Sequence, residues 1–202
     1  MEKKFILRLF EYNGWRWSKY WEQIEKGNKG IEIIEKDLGL PFKSIKGTMN
    51  HILLADYLWI MRMKNKPSLT VPFNSEDFQY PKTTYHYGNL VKLWQSEGDF
   101  HSFFEENSYE WFKFHQERVK DCNWKLSDLV KKAPEEDLNK DFSYRDSKGA
   151  ELKKNRSDVF YHLANHSTHH FGQISVAFIK EFGQELFPET DYTYFLDSLN
   201  NN

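Results

Sequence analysis

The sequence has 202 residues, enough for one domain with a sizeable core and too few for two domains of ordinary size. Hydrophobic residues make up 39% and aromatic residues 17%, so many large side chains are available for burial. Charged residues make up 29%, with a formal net charge of -2. Because binding to a nucleic-acid backbone requires a clustered basic surface, this balance argues against nucleic acid as a partner.

The cysteine content and the hydropathy of the sequence indicate the cellular compartment in which the protein occurs. The single cysteine, Cys122, cannot form an internal disulfide, which is consistent with a reducing environment. Residues 1–15 contain too few apolar positions for a signal peptide, and no run of about 18 apolar residues occurs. We therefore expect a soluble, cytoplasmic protein that forms a single domain over residues 1–202 and has no membrane contact.

The first half of the chain predicts two long helices. Apolar residues at intervals of three and four predict the first helix over residues 5–26, although Gly14 inside it costs about 1 kcal/mol relative to alanine. The second helix is predicted over residues 44–64, with Ser44 as its N-cap. Residues 66–86 hold three of the six prolines and are predicted to form a long loop.

The second half predicts two more long helices. The third spans residues 87–120, and the segment 142–152 resembles a small β-hairpin with a Ser-Lys-Gly turn. The fourth begins at Ser157 as an N-cap and ends before Gly183, and residues 191–199 form a short closing helix. Four long amphipathic helices with one long loop between the second and third indicate an all-α four-helix bundle.

Half of the eight histidines lie within nine positions of the fourth helix: His162, His166, His169 and His170. A helix places residues i, i+4 and i+8 along one face, and two histidines at i and i+4 can present their imidazoles to one metal ion. Neutral imidazole binds several divalent ions, so the ligand type does not choose the metal. The spacing also does not decide which of the four histidines bind.

A third ligand has to come from another helix. His86 lies in predicted loop, and His101 and His115 share no evident inward face. His51 lies in an apolar stretch of the second helix, where an imidazole requires a hydrogen-bond partner or a metal ion. The alternative is a purely structural cluster, but this buries several imidazoles uncharged near their ordinary pKa of about 6.5, which is costly.

Three stretches of the sequence resemble the DinB-like (YfiT-related) family of bacterial metalloproteins. They are YNGWRW, NHILLADYLW and YHLANHSTHHFGQI, at residues 12–17, 50–59 and 161–174. Their order and separation match those of the family, so the resemblance covers most of the chain. It implies an up-down-down-up four-helix bundle, often a homodimer, with a three-histidine metal site.

Carried over to this sequence, the implied metal ligands are His51, His166 and His170, with His162 and His169 as neighbours. One departure is Phe171, which occupies a position where the family often has arginine, so the role of that cation is not carried over to this chain. Gln173 follows the family pattern and either orients a ligand or lies on the helix surface. Asp56 lies about 140° further round the helix than His51, which argues against direct contact between them.

Three neutral ligands leave a divalent ion with its charge uncancelled and a coordination position open, as in catalytic sites. Such an ion acidifies a bound water from a pKa of 15.7 to about 7, or deprotonates a bound thiol. Relatives implied by the resemblance include thiol-dependent transferases. We therefore predict a metal-dependent thiol S-transferase or hydrolase that uses zinc, nickel, iron or manganese. It is expected to act on a small molecule, with a low-molecular-weight thiol as the second substrate of the transferase reaction.

Two other functions are compatible with the sequence. The protein is alternatively a non-catalytic metal-binding module for stress response or assembly, or a plain helical interaction protein whose histidines merely pack. The abundant aromatic residues are interpreted mainly as core, although Trp15, Trp17, Trp21, Trp59, Tyr12 and Asn13 are candidates for lining a pocket. Cys122 is interpreted as a helix-end residue and not as a nucleophile.

Overall fold

The computed structural model describes residues 3–27, 30–64, 108–146 and 148–200. These parts of the chain are mostly helical, with one small antiparallel sheet, which agrees with the predicted helical class. The elements, in chain order, are α1 (Lys3–Lys26), α2 (Gly30–Glu35), α3 (Ile45–Met63), α4 (Ser108–Lys132), α5 (Glu135–Leu138), β1 (Asp141–Arg145), β2 (Glu151–Asn155), α6 (Arg156–Phe182), a 3-10 turn (Gln184–Leu186) and α7 (Tyr192–Asn200).

The four long helices α1, α3, α4 and α6 pack around a common core. Helix α1 contacts α4 and α6, and α3 contacts the same two helices. The short helix α2 packs against α1, α3 and α4, and α7 packs against α1. No helix among the described residues combines the length and apolar character needed to cross a membrane.

Aromatic side chains supply much of this core. The largest side chains with less than 2% exposure include Trp17, Trp111, Tyr20, Tyr57 and Phe10. Full burial of one large apolar side chain is worth roughly 1.5–3 kcal/mol relative to exposure, so these residues are a principal source of stability. The interpretation of the aromatic residues as core is thus confirmed for most of those that the structure describes, although Trp124 is 63% exposed.

Helix α3 is buried on all sides. Every residue from Ile45 to Met61 is buried, because α2, α4, α6 and β1 surround the helix. Ser44 caps the helix as predicted, with its Oγ accepting a hydrogen bond from the Gly47 amide at 2.9 Å. A helix without a solvent face places any polar side chain that it carries, such as that of His51, inside the protein.

The structure of helices α1 and α4 differs from the sequence prediction in two details. Gly14 does not interrupt α1. A Cβ there would lie 2.9 Å from Asn123 Nδ2, so glycine permits the close approach of α4.

Helix α4 does not end near Lys120 but continues to Lys132. Its apolar stripe extends through Cys122, Leu126 and Val130, all buried, which also removes Cys122 from a helix end. The predicted loop 66–86 and the first part of the predicted third helix, 87–107, lie outside the described residues.

The predicted β-hairpin is present, and it leads directly into α6. Strands β1 and β2 pair from Asp141 opposite Asn155 to Arg145 opposite Glu151. The predicted N-cap Ser157 is wrong: α6 begins at Arg156, and Asn155 Oδ1 accepts a hydrogen bond from the Ser157 amide at 3.1 Å. Because no residue separates β2 from α6, the last strand residue is the one in position to cap the helix.

The C-terminal end of the described chain follows the prediction closely. Helix α6 ends at Phe182, and Gly183 follows with a φ of 91°, a backbone conformation that glycine adopts without strain. The short closing helix predicted over residues 191–199 is α7.

The two helical glycines Gly47 and Gly172 allow a matched test of the packing around α3. A Cβ at position 47 would overlap the carbonyl oxygen of Phe42, whereas a Cβ at position 172 meets no described atom within 4 Å. We expect Gly47→Ala to lower the free energy of unfolding by about 2 kcal/mol or more, and Gly172→Ala to raise it by up to about 1 kcal/mol. Urea denaturation measures both, and equal effects of the two substitutions would contradict this packing.

Candidate metal centre

Three histidines from two helices meet where α3 packs against α6. His51 is on α3, and His166 and His170 are one turn apart on α6. His166 Nε2 lies 3.1 Å from His51 Nε2 and 3.1 Å from His170 Nε2. One nitrogen of each ring lies within 4.8 Å of the others, so the three imidazoles point at a common centre.

Helix α4 fixes the part of α3 that carries His51. The Trp111 indole donates a hydrogen bond to Asn50 Oδ1 at 2.9 Å, and His115 Nε2 donates to the Met49 carbonyl oxygen at 3.3 Å. Both donors come from α4, whereas the other two histidines of the centre are on α6. With Met49 and Asn50 held toward α4, the next residue of the helix is turned toward α6.

Burial keeps the three imidazoles neutral. His51 is 6% exposed, His170 is 7% exposed, and His166 is the most accessible of the three. Burial, and then the charge of neighbouring histidines, lowers the pKa of His51 and His166 well below its ordinary value. Burial also lowers the pKa of His170, against a hydrogen bond from its ring to Gln173 that raises it. Neutral imidazole is the form that binds a metal ion.

Gln173 sets the tautomer of His170. Its Oε1 lies 2.8 Å from His170 Nδ1, and because an amide oxygen only accepts, Nδ1 carries the proton and Nε2 presents its lone pair to the centre. The Gln173 amide nitrogen donates to His169 Nε2 at 3.3 Å, which fixes the orientation of the amide. Of the two roles open for Gln173 from sequence, the orienting contact is the one observed, and His169 supports it.

Phe42 is a member of the site that sequence reasoning missed. Its ring stacks on the His51 imidazole, with centroids 3.9 Å apart and 18° between the planes, and its centroid is 5.7 Å from that of His170. The turn before α3 positions the Phe42 ring. In this turn Lys43 has a left-handed φ of 64°, and the Ser44 amide donates a hydrogen bond to the Phe42 carbonyl oxygen at 2.8 Å. No sequence signal marked Phe42, because the contact depends on this turn.

The remaining histidines have separate roles. His162 is exposed, and its ring centroid is 5.7 Å from that of His166. His115 is buried in the core against Trp17 and Trp111, with ring centroids 5.0 and 5.2 Å away, so it is a packing residue and not a candidate ligand. His86 and His101 lie outside the described residues.

Two further candidates from the sequence lie away from the three histidines. Asp56 is buried, and burial raises its pKa to about 8. Its charge acts on Cys122 of α4, so Asp56 lies on the side of α3 that faces α4. This agrees with the expectation that Asp56 does not contact His51. Cys122 is also buried, and burial, before any other cause, raises its pKa. A buried thiol with a raised pKa is a poor nucleophile, as predicted.

The structure accounts for the unusual Phe171. Its buried ring lies beneath the guanidinium of Arg16, with Cζ 4.3 Å from the ring centroid, and the Tyr12 ring covers the guanidinium on another side at 4.4 Å. Arg16 also donates to Asn13 Oδ1 at 2.6 Å. A cation from α1 thus packs against Phe171 of α6, and Tyr12 and Asn13 contact Arg16 rather than line a pocket at the histidines.

The donor set fits a divalent transition ion. Nitrogens about 2.1 Å from a shared ion lie about 3.0 Å apart at right angles and about 3.4 Å apart at the tetrahedral angle. The separations of His166 Nε2 from His51 Nε2 and from His170 Nε2, both 3.1 Å, fall within this range, and all three ligand nitrogens lie within 4.8 Å of one another. His51, His166 and His170 are therefore suited to hold such an ion.

A mostly helical fold with three convergent histidines on two packed helices is typical of a class of helical metal-binding proteins. The chain belongs to the DinB family, whose family model matches residues 1–201. It is 23% identical over 192 residues to "Protein DinB" of Bacillus subtilis (strain 168), covering 95% of this chain and 94% of that protein. No solved structure matches the chain significantly.

His115 gives the fold a testable dependence on pH. Burial lowers its pKa to about 3, whereas the unfolded chain titrates near 6.5, so between these values only the unfolded state gains the proton. The free energy of unfolding therefore falls as the pH is lowered through this window. We expect His115→Gln to remove about 2 kcal/mol of the difference in stability between pH 7 and pH 5. Urea titrations of the chelator-treated wild type and variant measure this difference, and an unchanged difference would contradict the assignment.

Proposed function

We propose that the protein is a metal-dependent enzyme in which His51, His166 and His170 hold a divalent transition ion. The observation that carries the proposal is the convergence of three neutral imidazole nitrogens, two of the separations being 3.1 Å. With only three protein ligands, the site retains open positions for water or a substrate, which is typical of catalytic metal sites. We propose thiol-dependent S-transfer or hydrolysis as the reaction.

The bound ion would supply Lewis-acid chemistry, lowering the pKa of a water or thiol that enters the open position. The residues of this chain prepare that position. Gln173 holds His170 in the tautomer that presents Nε2, and the stacked Phe42 ring excludes water from one face of His51. His166, the most accessible of the three histidines, marks the side from which a small molecule approaches.

The proposal also covers the order of the helices, the oligomeric state and the identity of the metal ion. The pairing of α1 and α3 each with α4 and α6 supports a four-helix bundle. The match of the family model to residues 1–201 supports a single domain over residues 1–202 with the up-down-down-up order that the resemblance implies. Membership of the DinB family supports a homodimer in the cytoplasm as the working form. The ion is zinc, nickel, iron or manganese, all of which accept imidazole ligands.

Metal content tests the site. The purified wild type is expected to carry about one divalent ion per chain, measured by elemental analysis after dialysis. Removing a ligand in His51→Ala costs more than the roughly 10- to 100-fold in affinity that follows loss of an outer contact, so this variant should be empty. The matched control His162→Ala removes an exposed histidine one turn from His166 and should retain its metal. Equal loss in both variants, or full occupancy in folded His51→Ala, would refute the site.

Turnover tests the reaction. The metal-loaded protein is expected to join small thiols to alkyl or aryl electrophiles, or to hydrolyse a member of an ester and amide panel, and His51→Ala should abolish the rate. Liquid chromatography of the products with both proteins measures this. Tight metal binding without turnover across the panel would favour the alternative, a metal-binding module for stress response or assembly.

A further inference from the structure

One face of α6 is exposed along almost the whole helix. Six exposed residues recur on it at intervals of three, four or seven, so they lie within about 100° of arc. The opposite side of the helix packs against α1 and α3. We refer to the six residues as the outer face of α6: Asp158, Tyr161, Asn165, Gly172, Val176 and Lys180.

The outer face carries two large apolar side chains. Val176 is 71% exposed, the highest value for a large hydrophobic residue among those that the structure describes, and Tyr161 is 52% exposed. Between them, a Cβ at position 172 would meet no described atom within 4 Å. One exposed apolar side chain is common on a protein surface, but two on one uncovered helix face indicate a contact surface.

The two ends of the outer face carry opposite charges. Asp158 lies in the first turn of α6 and Lys180 in the last turn, about 33 Å apart along the helix. Neither residue belongs to an ion pair among the described residues, although the neighbouring Glu181 pairs with Lys36. The helix dipole favours an acid in the first turn and a base in the last turn, but it does not require both on one face.

The outer face is complementary to itself when a second α6 lies antiparallel to it. A two-fold axis between residues 168 and 169 places Tyr161 of one chain against Val176 of the other, because both residues are equally far from that axis. The same axis brings Asp158 beside Lys180, and the symmetry forms each contact twice. A parallel arrangement would instead bring like charges together at both ends, so the charges select the antiparallel one.

We propose that two copies of this chain associate through the outer faces of their α6 helices, which run antiparallel. This inference rests on the proposed function, which includes a homodimer, and it adds the surface by which the homodimer forms. His166 and His170 meet His51 on the side of α6 that packs against α3, so the metal centre lies outside the contact.

Reversal of the two charges tests the contact, with the dissociation constant of the dimer measured by sedimentation equilibrium. Asp158→Lys sets two lysines against each other in both charged pairs, and we expect the dissociation constant to rise about 10-fold. Lys180→Asp sets two aspartates against each other and should have a similar effect. The double variant exchanges the charges and should return the constant to within about 3-fold of the wild type.

The double variant also separates the contact from the helix dipole. If the two residues acted only through the dipole of their own helix, the double variant would show the sum of two unfavourable changes and no recovery. Circular dichroism of each variant checks that the helices are retained, and elemental analysis checks that its metal content matches that of the wild type.

Two further variants test the apolar contact and the position of the charge. Val176→Ser removes an apolar side chain that contacts the second copy twice, so the dissociation constant should rise about 10-fold or more. Lys4→Asp makes the same change of charge as Lys180→Asp at an exposed position of α1, and it should leave the constant within about 2-fold of the wild type.

The outcomes distinguish this inference from the proposal beneath it. A dimer whose dissociation constant does not change in either reversal variant, or is not restored in the double variant, would overturn the outer face as the contact and leave the homodimer standing. A wild type that stays monomeric at the highest concentration measured would refute the homodimer together with its contact. Neither result affects the metal site, which metal content tests separately.

Discussion

The contact between α3 and α6 is the constraint on which the rest of the molecule depends. Helix α3 is buried along nearly its whole length, so His51 lies inside the protein where α3 packs against α6. Across that contact it meets two imidazoles, and burial keeps all three neutral. Burial removes water from these polar rings, which is unfavourable. Because it also keeps the rings neutral, it makes them suitable ligands for a cation.

Much of this arrangement was accessible from the sequence. The apolar periodicity located α1, α3 and α6 and the first half of α4, and the i, i+4 spacing placed His166 and His170 on one face. His51 stood out as a polar residue in an apolar helix. The apolar setting of His51 favoured it over His115, and the family resemblance implied the same choice. The expectation that His115 lacks an inward face is wrong, because the packing of α4 buries His115 in the core.

What the sequence did not predict depends on contacts between distant segments. The stacking of Phe42 on His51 requires the left-handed residue Lys43, a conformation that lysine rarely adopts and that composition does not signal. The cap of α6 shifted from Ser157 to Asn155 because a strand runs directly into the helix. Helix α4 continued past its predicted end because its buried stripe did not stop at Lys120.

The cation–π contact between the Arg16 guanidinium and the Phe171 ring has an evolutionary consequence. Arginine at position 171 would bring two like charges together in a buried place, whereas loss of the ring would expose one face of an unbalanced cation. We therefore expect a change at either position alone to be destabilising. Across related chains, residues 16 and 171 should covary, so that a departure from the usual motif on one helix signals a compensating exchange on the other.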